Sequence, residues 1–181
     1  MSERVFGFDS SVTIREMINF AVYLLIGPQQ ASALILLYRS RYFVNSLTGN
    51  PDHPILATID SNIGIALNQS SQYDYALKYY ENAIRVWSLF DNKYMMRVAT
   101  CHHLISGCHA SKGDFKSAFL SEKEAFEIYR NFTGENSVQS VESKTRLKDL
   151  TKNGVELQKA INKENGDVYS SVRKMCIIQS I

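Results

Sequence analysis

Proline is scarce in this sequence, with three in 181 residues, at positions 28, 51 and 54. All three fall in the first third, so nothing later removes a backbone donor from a helix. Cysteine is equally scarce, at 101, 108 and 176. An odd set of three excludes the disulfide framework of a small secreted domain and suits reduced thiols in a cytosolic protein. Long apolar runs are missing too. The longest, Phe20 to Ile26, is far short of the roughly 20 residues that span a bilayer. Met1 to Gly7 lacks the basic stretch feeding an apolar core that a leader needs. Charge is nearly balanced, 20 basic against 18 acidic side chains, net +2. That is too little for the whole chain to bind nucleic acid by bulk electrostatics, although a local basic face remains compatible with it. A cytoplasmic protein without membrane insertion is expected. Apolar residues make up 45% and charged residues 21%, enough for one domain with a sizeable core.

What the sequence does contain is a repeat. Gln30-Ala31-Ser32-Ala33-Leu34, Tyr73-Asp74-Tyr75-Ala76-Leu77 and Phe115-Lys116-Ser117-Ala118-Phe119 share a pattern, with their fourth-position alanines 43 and 42 residues apart. Thr48-Gly49 recurs as Thr133-Gly134, 85 residues later, which is two periods. Two markers in register identify a solenoid of helical units.

Each unit reads as two helices. In the middle unit Asp52-His53-Pro54 opens the first, with proline in its first turn, and it runs to about Asn68. Asn68 to Ser71 turns the chain, and Ser71 with Asp74 resembles a capping box for the second helix. There Tyr73, Ala76, Leu77, Tyr80, Ala83, Ile84 and Trp87 form an apolar stripe of helical period. Ala76 and Ala83 let the two helices approach, Tyr73 and Tyr80 fill the space beside them, and Gly64 supplies the gap from the first helix. The third unit offers Ser106, Phe115, Ala118 and Ala125 but sets Glu122 where a large apolar residue is usual. The first offers Ala21, Ala33 and Leu37, with Gln30 and Ser40 as departures, as terminal repeats allow.

Beyond Glu135 one long helical pattern carries Val141, Leu147, Leu150, Val155, Leu157 and Ile161 as its expected buried stripe, a capping helix over 137–163. The predicted fold is an all-α, tetratricopeptide-repeat (TPR)-like α-solenoid of three helical hairpins, about 12–48, 54–90 and 94–132, plus that helix. Residues 1–10 and 164–181 are expected to be flexible or disordered. Met175-Cys176-Ile177-Ile178 in the tail is apolar but short.

Leu36 to Tyr42, Asp60-Ser61-Asn62-Ile63-Gly64, and His102-His103-Leu104 with Ser111 to Ala118 resemble the TPR region of the clustered-mitochondria (Clu) family, from about Val12 to Ile161. The His-His pair and the Glu122-Lys123-Glu124 that follows carry most of the specificity. Kinesin light chains also have TPRs of this length with His-Pro before the first helix, so His53-Pro54 alone does not separate the two. The Clu resemblance implies a non-catalytic cytoplasmic scaffold linked to mRNAs for mitochondrial proteins, to mitochondrial distribution and to translation initiation factor 3. Family members are much longer, with other domains before the repeats, and functions residing there are not carried over.

In such solenoids the first helices line a concave groove. Counting from the signature positions, Arg15, Ile18, Asn19 and Val22 face it from the first unit, Thr58, Ser61, Asn62 and Ile65 from the second, and Thr100 and His103 from the third. Asn19 and Asn62 are one repeat apart, and an amide offers both donor and acceptor to an extended peptide; otherwise each would cap or bridge neighbouring helices. Ile18, Val22 and Leu104 replace most of the basic residues that a carboxylate clamp requires, which argues against binding chaperone tails. Lys144, Lys148 and Lys152 recur every four residues on one face of the last helix, either a solvated stripe or a surface for RNA phosphates.

Cys101, His102, His103, Cys108 and His109 crowd one helix, yet Cys101 and Cys108 lie about 10 Å apart along it, too far to share a zinc ion. No nucleophile elbow, phosphate loop or HExxH occurs. Asn68-Gln69-Ser70 and Asn131-Phe132-Thr133 match the glycosylation pattern, which has no meaning in a cytosolic chain. Neither catalysis, a metal nor a cofactor is expected. The alternatives to a protein scaffold are a direct RNA-binding module and a kinesin-light-chain-like adaptor for peptide cargo.

Overall fold

The computed structural model describes residues 11–178, with side chains described as far as Lys163. The described residues form helices α1 (Ser11–Ile26), α2 (Gln30–Thr48), α3 (Pro54–Gln69), α4 (Tyr73–Trp87), α5 (Met95–Ser111), α6 (Phe115–Thr133) and α7 (Val138–Ile178), with a 3-10 segment Ser88–Tyr94 between α4 and α5. They pair as hairpins α1–α2, α3–α4 and α5–α6, and each hairpin stacks on the next. This is the predicted all-α solenoid.

Local chemistry sets the helix ends. Pro54 sits in the first turn of α3, and His53 Nδ1 accepts from the Ile55 N–H at 3.2 Å, satisfying one of the donors a helix start leaves unpaired. The Asp114 carboxylate does the same for α6, accepting from the Ser117 N–H at 3.0 Å. The repeated Thr-Gly closes two second helices. Thr48 and Thr133 are the last residues of α2 and α6, their hydroxyls donating to the carbonyls of Val44 and Tyr129, and Gly49 and Gly134 follow with φ of 57° and 89°.

The start of α4 differs from the expected capping box. The Gln72 N–H bonds back to the Leu67 carbonyl and drives Ser71 to φ 58°, outside the helix. From there its hydroxyl accepts from the Tyr73 hydroxyl at 3.5 Å and not from a backbone N–H of the new helix, Gln72 caps that helix without a side-chain bond, and Asp74 pairs with Lys112 at the next turn. Gly113, one repeat on, holds the same conformation with φ 79°.

The core runs through all three hairpins. Ala21, Ala33, Leu37, Ile59, Ile63, Ala76, Tyr80 and Ala83 are fully buried within it, each large member stabilising the fold by about 1.5–3 kcal/mol. The small-large fit is tight at Gly64, where a Cβ would stand 2.5 Å from Tyr80 Cε1. Trp87 ends α4 buried at the joint between the second and third hairpins, stacked on Tyr94 with the Arg97 guanidinium over its ring.

α7 departs from expectation. Its helix is assigned to Ile178, with side chains described as far as Lys163; residues 1–10 and 179–181 lie outside the described residues. Its apolar stripe is only partly covered. Leu150 is buried, but Val141, Val155, Leu157 and Ile161 are 40–50% exposed, while Ser140 and Ser143 are buried instead. The helix turns its small residues to α6, where Gly154 comes within van der Waals reach of Phe115.

Candidate functional site

The residues predicted to face the groove separate into two sets. Arg15, Ile18, Asn19 and Thr58 come together around a hollow of about 600 Å³ between the N-terminal halves of α1 and α3. Its walls are Ile14, Ile18, Val44, Leu47 and Ile55, and Ser11, Thr48 and His53 add polar edges. Apolar walls with a few convergent polar groups suit a side chain presented by a ligand. Arg15 pairs with its neighbour Glu16, at 3.6 Å in solvent. Val22 lies further along α1, and Ser61, Asn62 and Ile65 further along α3, outside the hollow. Asn19 is exposed and Asn62 half-buried. Among the described residues neither amide has a hydrogen-bond partner, so neither caps nor bridges a helix there. Ser61 is half-buried, its hydroxyl 3.5 Å from Cys101 Sγ.

The third unit's groove residues are engaged elsewhere. Thr100 Oγ1 accepts from the Tyr129 hydroxyl at 3.4 Å. His103 Nδ1 lies 3.0 Å from Glu122 Oε1, and its Nε2 lies 3.5 Å from Arg146 Nη1. The Glu122 carboxylate can only accept, so Nδ1 turns its N–H to Glu122 while Nε2 faces the Arg146 guanidinium.

Glu122 is the centre of this polar seam. It is fully buried at the position Tyr80 fills one repeat earlier; Ser143 Oγ donates to its Oε1 at 2.6 Å, and Arg146 Nε faces its Oε2 at 3.3 Å. Burial alone would push the carboxyl up. The hydrogen bonds from His103 and Ser143, and the charges of His103 and Arg146, outweigh it and hold the group below its ordinary value. The buried carboxylate therefore joins α5, α6 and α7. A second such group, Asp60, forms an ion pair with Arg41 Nε at 2.9 Å and accepts from Asn82 Nδ2 at 2.6 Å between the first two hairpins. Its burial dominates over Arg41 and raises its pKa. Of these partners, the sequence signalled only Glu122, by its charge in an aromatic slot. Arg146, Ser143, Arg41 and Asn82 carried no signal, because each is ordinary at an exposed helix position.

Lys144, Lys148 and Lys152 are exposed on α7. Lys144 is paired with Glu135 at 3.1 Å, while Lys148 and Lys152 border a shallow depression with Val155, Glu156 and Lys159. The Cys-His helix forms no ligand set. Among the described residues no three His, Cys, Asp or Glu side chains could hold one metal ion. Cys101 and Cys108 are buried, and burial pushes both thiols up to about 11. Burial likewise lowers the pKa of His102, and His109 lies 3.8 Å from Asp114 Oδ2. Among the described residues no helix is long and apolar enough to cross a membrane.

Stacked helical hairpins, the small-large fit at Gly64 and Tyr80, and a lined concave surface define a TPR solenoid, and a tetratricopeptide-repeat family profile matches residues 55–131. Over most of its length the chain matches the clustered mitochondria family. It is 40% identical over 162 residues to the clustered mitochondria protein homologue of Danio rerio, equally so to that of Homo sapiens, and 38% identical over 179 residues to that of Brugia malayi. These alignments cover 90%, 90% and 99% of this chain but 12% of each relative. Among solved structures, BtubC (BKLC) from P. vanneervenii superposes with a TM-score of 0.70 at 17% identity, covering 88% of this chain and 64% of that one. A kinesin-light-chain-type repeat protein of P. anserina gives 0.68 at 14%, covering 82% and 70%. At such identities these two speak for the fold alone.

Proposed function

We propose that this chain is a non-catalytic protein-interaction scaffold that holds an extended peptide along the concave face of α1 and α3. The observation that carries the reading is the pair Asn19 and Asn62, equivalent residues of consecutive repeats. Neither amide is used within the described fold, and Asn19 lies beside an apolar hollow. An unpaired amide can exchange two hydrogen bonds with a peptide backbone, while the hollow takes a side chain. In this reading the scaffold works in the cytoplasm, in the service of mRNAs for mitochondrial proteins, mitochondrial distribution and translation initiation factor 3, and the likeness to clustered mitochondria proteins supports it.

A second reading, direct RNA contact, has its own observation. Lys148 and Lys152 are exposed and without an ion-pair partner among the described residues, which leaves them for phosphates. The test is a crosslinked pull-down from cytosol with and without RNase. Translation factors that stay bound after RNase, and are lost with Asn19→Ala/Asn62→Ala, support the scaffold. Recovery that vanishes with RNase and with Lys148→Glu/Lys152→Glu supports RNA. Capture of kinesin heavy chains or vesicle cargo through the groove would instead support a kinesin-light-chain-like adaptor.

A further inference from the structure

The α1 end of the stack carries a surface that the other repeats bury. Phe20 shares its repeat position with Ile63 and Ile105, and Tyr23 shares its own with Ala66 and Cys108, at intervals of 43 and 42 residues. Those four equivalents are buried, while Phe20 is 55% and Tyr23 68% exposed. The difference lies in the neighbour. α3 packs against α2 and α5 against α4, the second helices of the hairpins before them; among the described residues α1 has no preceding helix. Register therefore marks Phe20 and Tyr23 as positions that a packed neighbour covers, and covering such large apolar side chains is favourable.

Several features say what that neighbour is. Phe20, Tyr23 and Ile26 lie three residues apart in one exposed ridge, with Ile26 83% exposed and the rings of Phe20 and Tyr23 stacked at 6.4 Å. The ridge is symmetric about Tyr23, with Phe20 and Ile26 each about 4.5 Å from it along the axis. Beside it a hollow of about 260 Å³ opens at the end of α1, lined by Tyr23, Leu24, Ile26, Gly27 and Gln29. No charged residue occurs from Met17 to Tyr38, so two such ends can meet without like-charge repulsion. A second copy has no spare second helix to lend, because α2, α4 and α6 already lie against α3, α5 and α7. Its own α1 ridge is free.

We propose that this ridge is the interface of a two-fold dimer of the chain, with α1 antiparallel to α1 of the second copy. Tyr23 meets Tyr23 at the axis, and Phe20 of each copy enters the hollow beside Ile26 of the other. The same patch serves both copies, so the contact closes at two and builds no filament. Three side chains from each copy make a small interface, and the dimer forms reversibly with concentration. The hollow between the N-terminal halves of α1 and α3 lies outside the ridge, so each dimer presents two such hollows and gains avidity for a bivalent ligand.

The test is sedimentation velocity on the full chain from about 1 μM to about 300 μM, a span over which mass action reveals a weak interface. The expected result is a monomer passing to a dimer, with Phe20→Asp and Ile26→Asp each held monomeric while their circular dichroism matches the parent. Disulfide crosslinking then fixes the geometry. In a Cys176→Ala background, Tyr23→Cys puts a thiol on the axis, and Ile35→Cys puts one on α2 at a 69% exposed position outside the ridge. Cys101 and Cys108 are buried. Oxidation should join Tyr23→Cys into a dimer and leave Ile35→Cys monomeric. A chain that stays monomeric throughout overturns the proposal. So does a dimer that tolerates Phe20→Asp and Ile26→Asp, and so does a failure of Tyr23→Cys to crosslink, or crosslinking through Ile35→Cys in its place.

Discussion

At the scale of single residues, the strongest constraint is the fit of Gly64 against Tyr80. Gly64→Ala puts a methyl group 2.5 Å from the ring, and a fully buried ring has nowhere to retreat. It should lower the unfolding free energy by about 1–3 kcal/mol, read from urea denaturation. Glu122 makes the second residue-scale prediction. Its pKa is lower in the folded chain than in the unfolded one, so its stabilisation is complete above the unfolded value and lost as pH falls through the folded one. Stability measured from pH 6 downward should therefore begin to drop near the ordinary carboxylate pKa of about 4.3. Glu122→Gln should be less stable at neutral pH, with a shallower fall in acid. A mutant as stable as the parent at pH 7 would contradict the linking role given to this carboxylate.

At the scale of elements, the turn before α4 is the informative one. Ser71 adopts the left-handed conformation that Gly113 holds one repeat later. Ser71→Gly should raise the melting temperature, corresponding to a gain of up to about 1 kcal/mol. The helices themselves were legible in the sequence, because the alanine and aromatic spacing that marks each hairpin is also what packs it. His53-Pro54 marked the start of α3, whereas Thr-Gly was read as a repeat marker and its closing of α2 and α6 came from the structure. The Ser71-Asp74 capping box was misread, since its pattern ignores the backbone closure onto Leu67 that removes Ser71 from the helix. The stripe of α7 was misread for a different reason. Its apolar residues repeat as a buried face would, but Gly154 and the two serines make the close contacts, and periodicity does not say which face a neighbour covers. Repeat register picked out Arg15, Ile18, Asn19 and Thr58, which share one hollow, together with Val22, Ser61, Asn62 and Ile65, which lie outside it. In α5 that register placed His103 on the same surface but gave no hint that Glu122 and Arg146 hold it.

At the scale of the molecule, the hairpins form a line in which each touches its neighbours and little else, so damage should stay local. Leu37, on α2, is fully buried in the core. Leu37→Ala should cost about 2–5 kcal/mol there. Hydrogen exchange should speed up in α1 and α2 while α5 and α6 keep their protection. Uniform loss of protection would mean the solenoid unfolds as one block.

Trp87 gives this linear molecule a vantage point of its own. It is the sole tryptophan of the chain, and it is sealed at the middle joint against Tyr94 and Arg97. Its fluorescence is thus an intrinsic gauge of that joint alone. Emission should be blue relative to free indole while α4 and α5 stay docked, and should redden when water enters the seam. Fraying of α1, or any rearrangement at the far end of α7, should leave it dark to the observer. Comparing that optical signal with circular dichroism, which registers every helix equally, would then show in what order the rod comes apart.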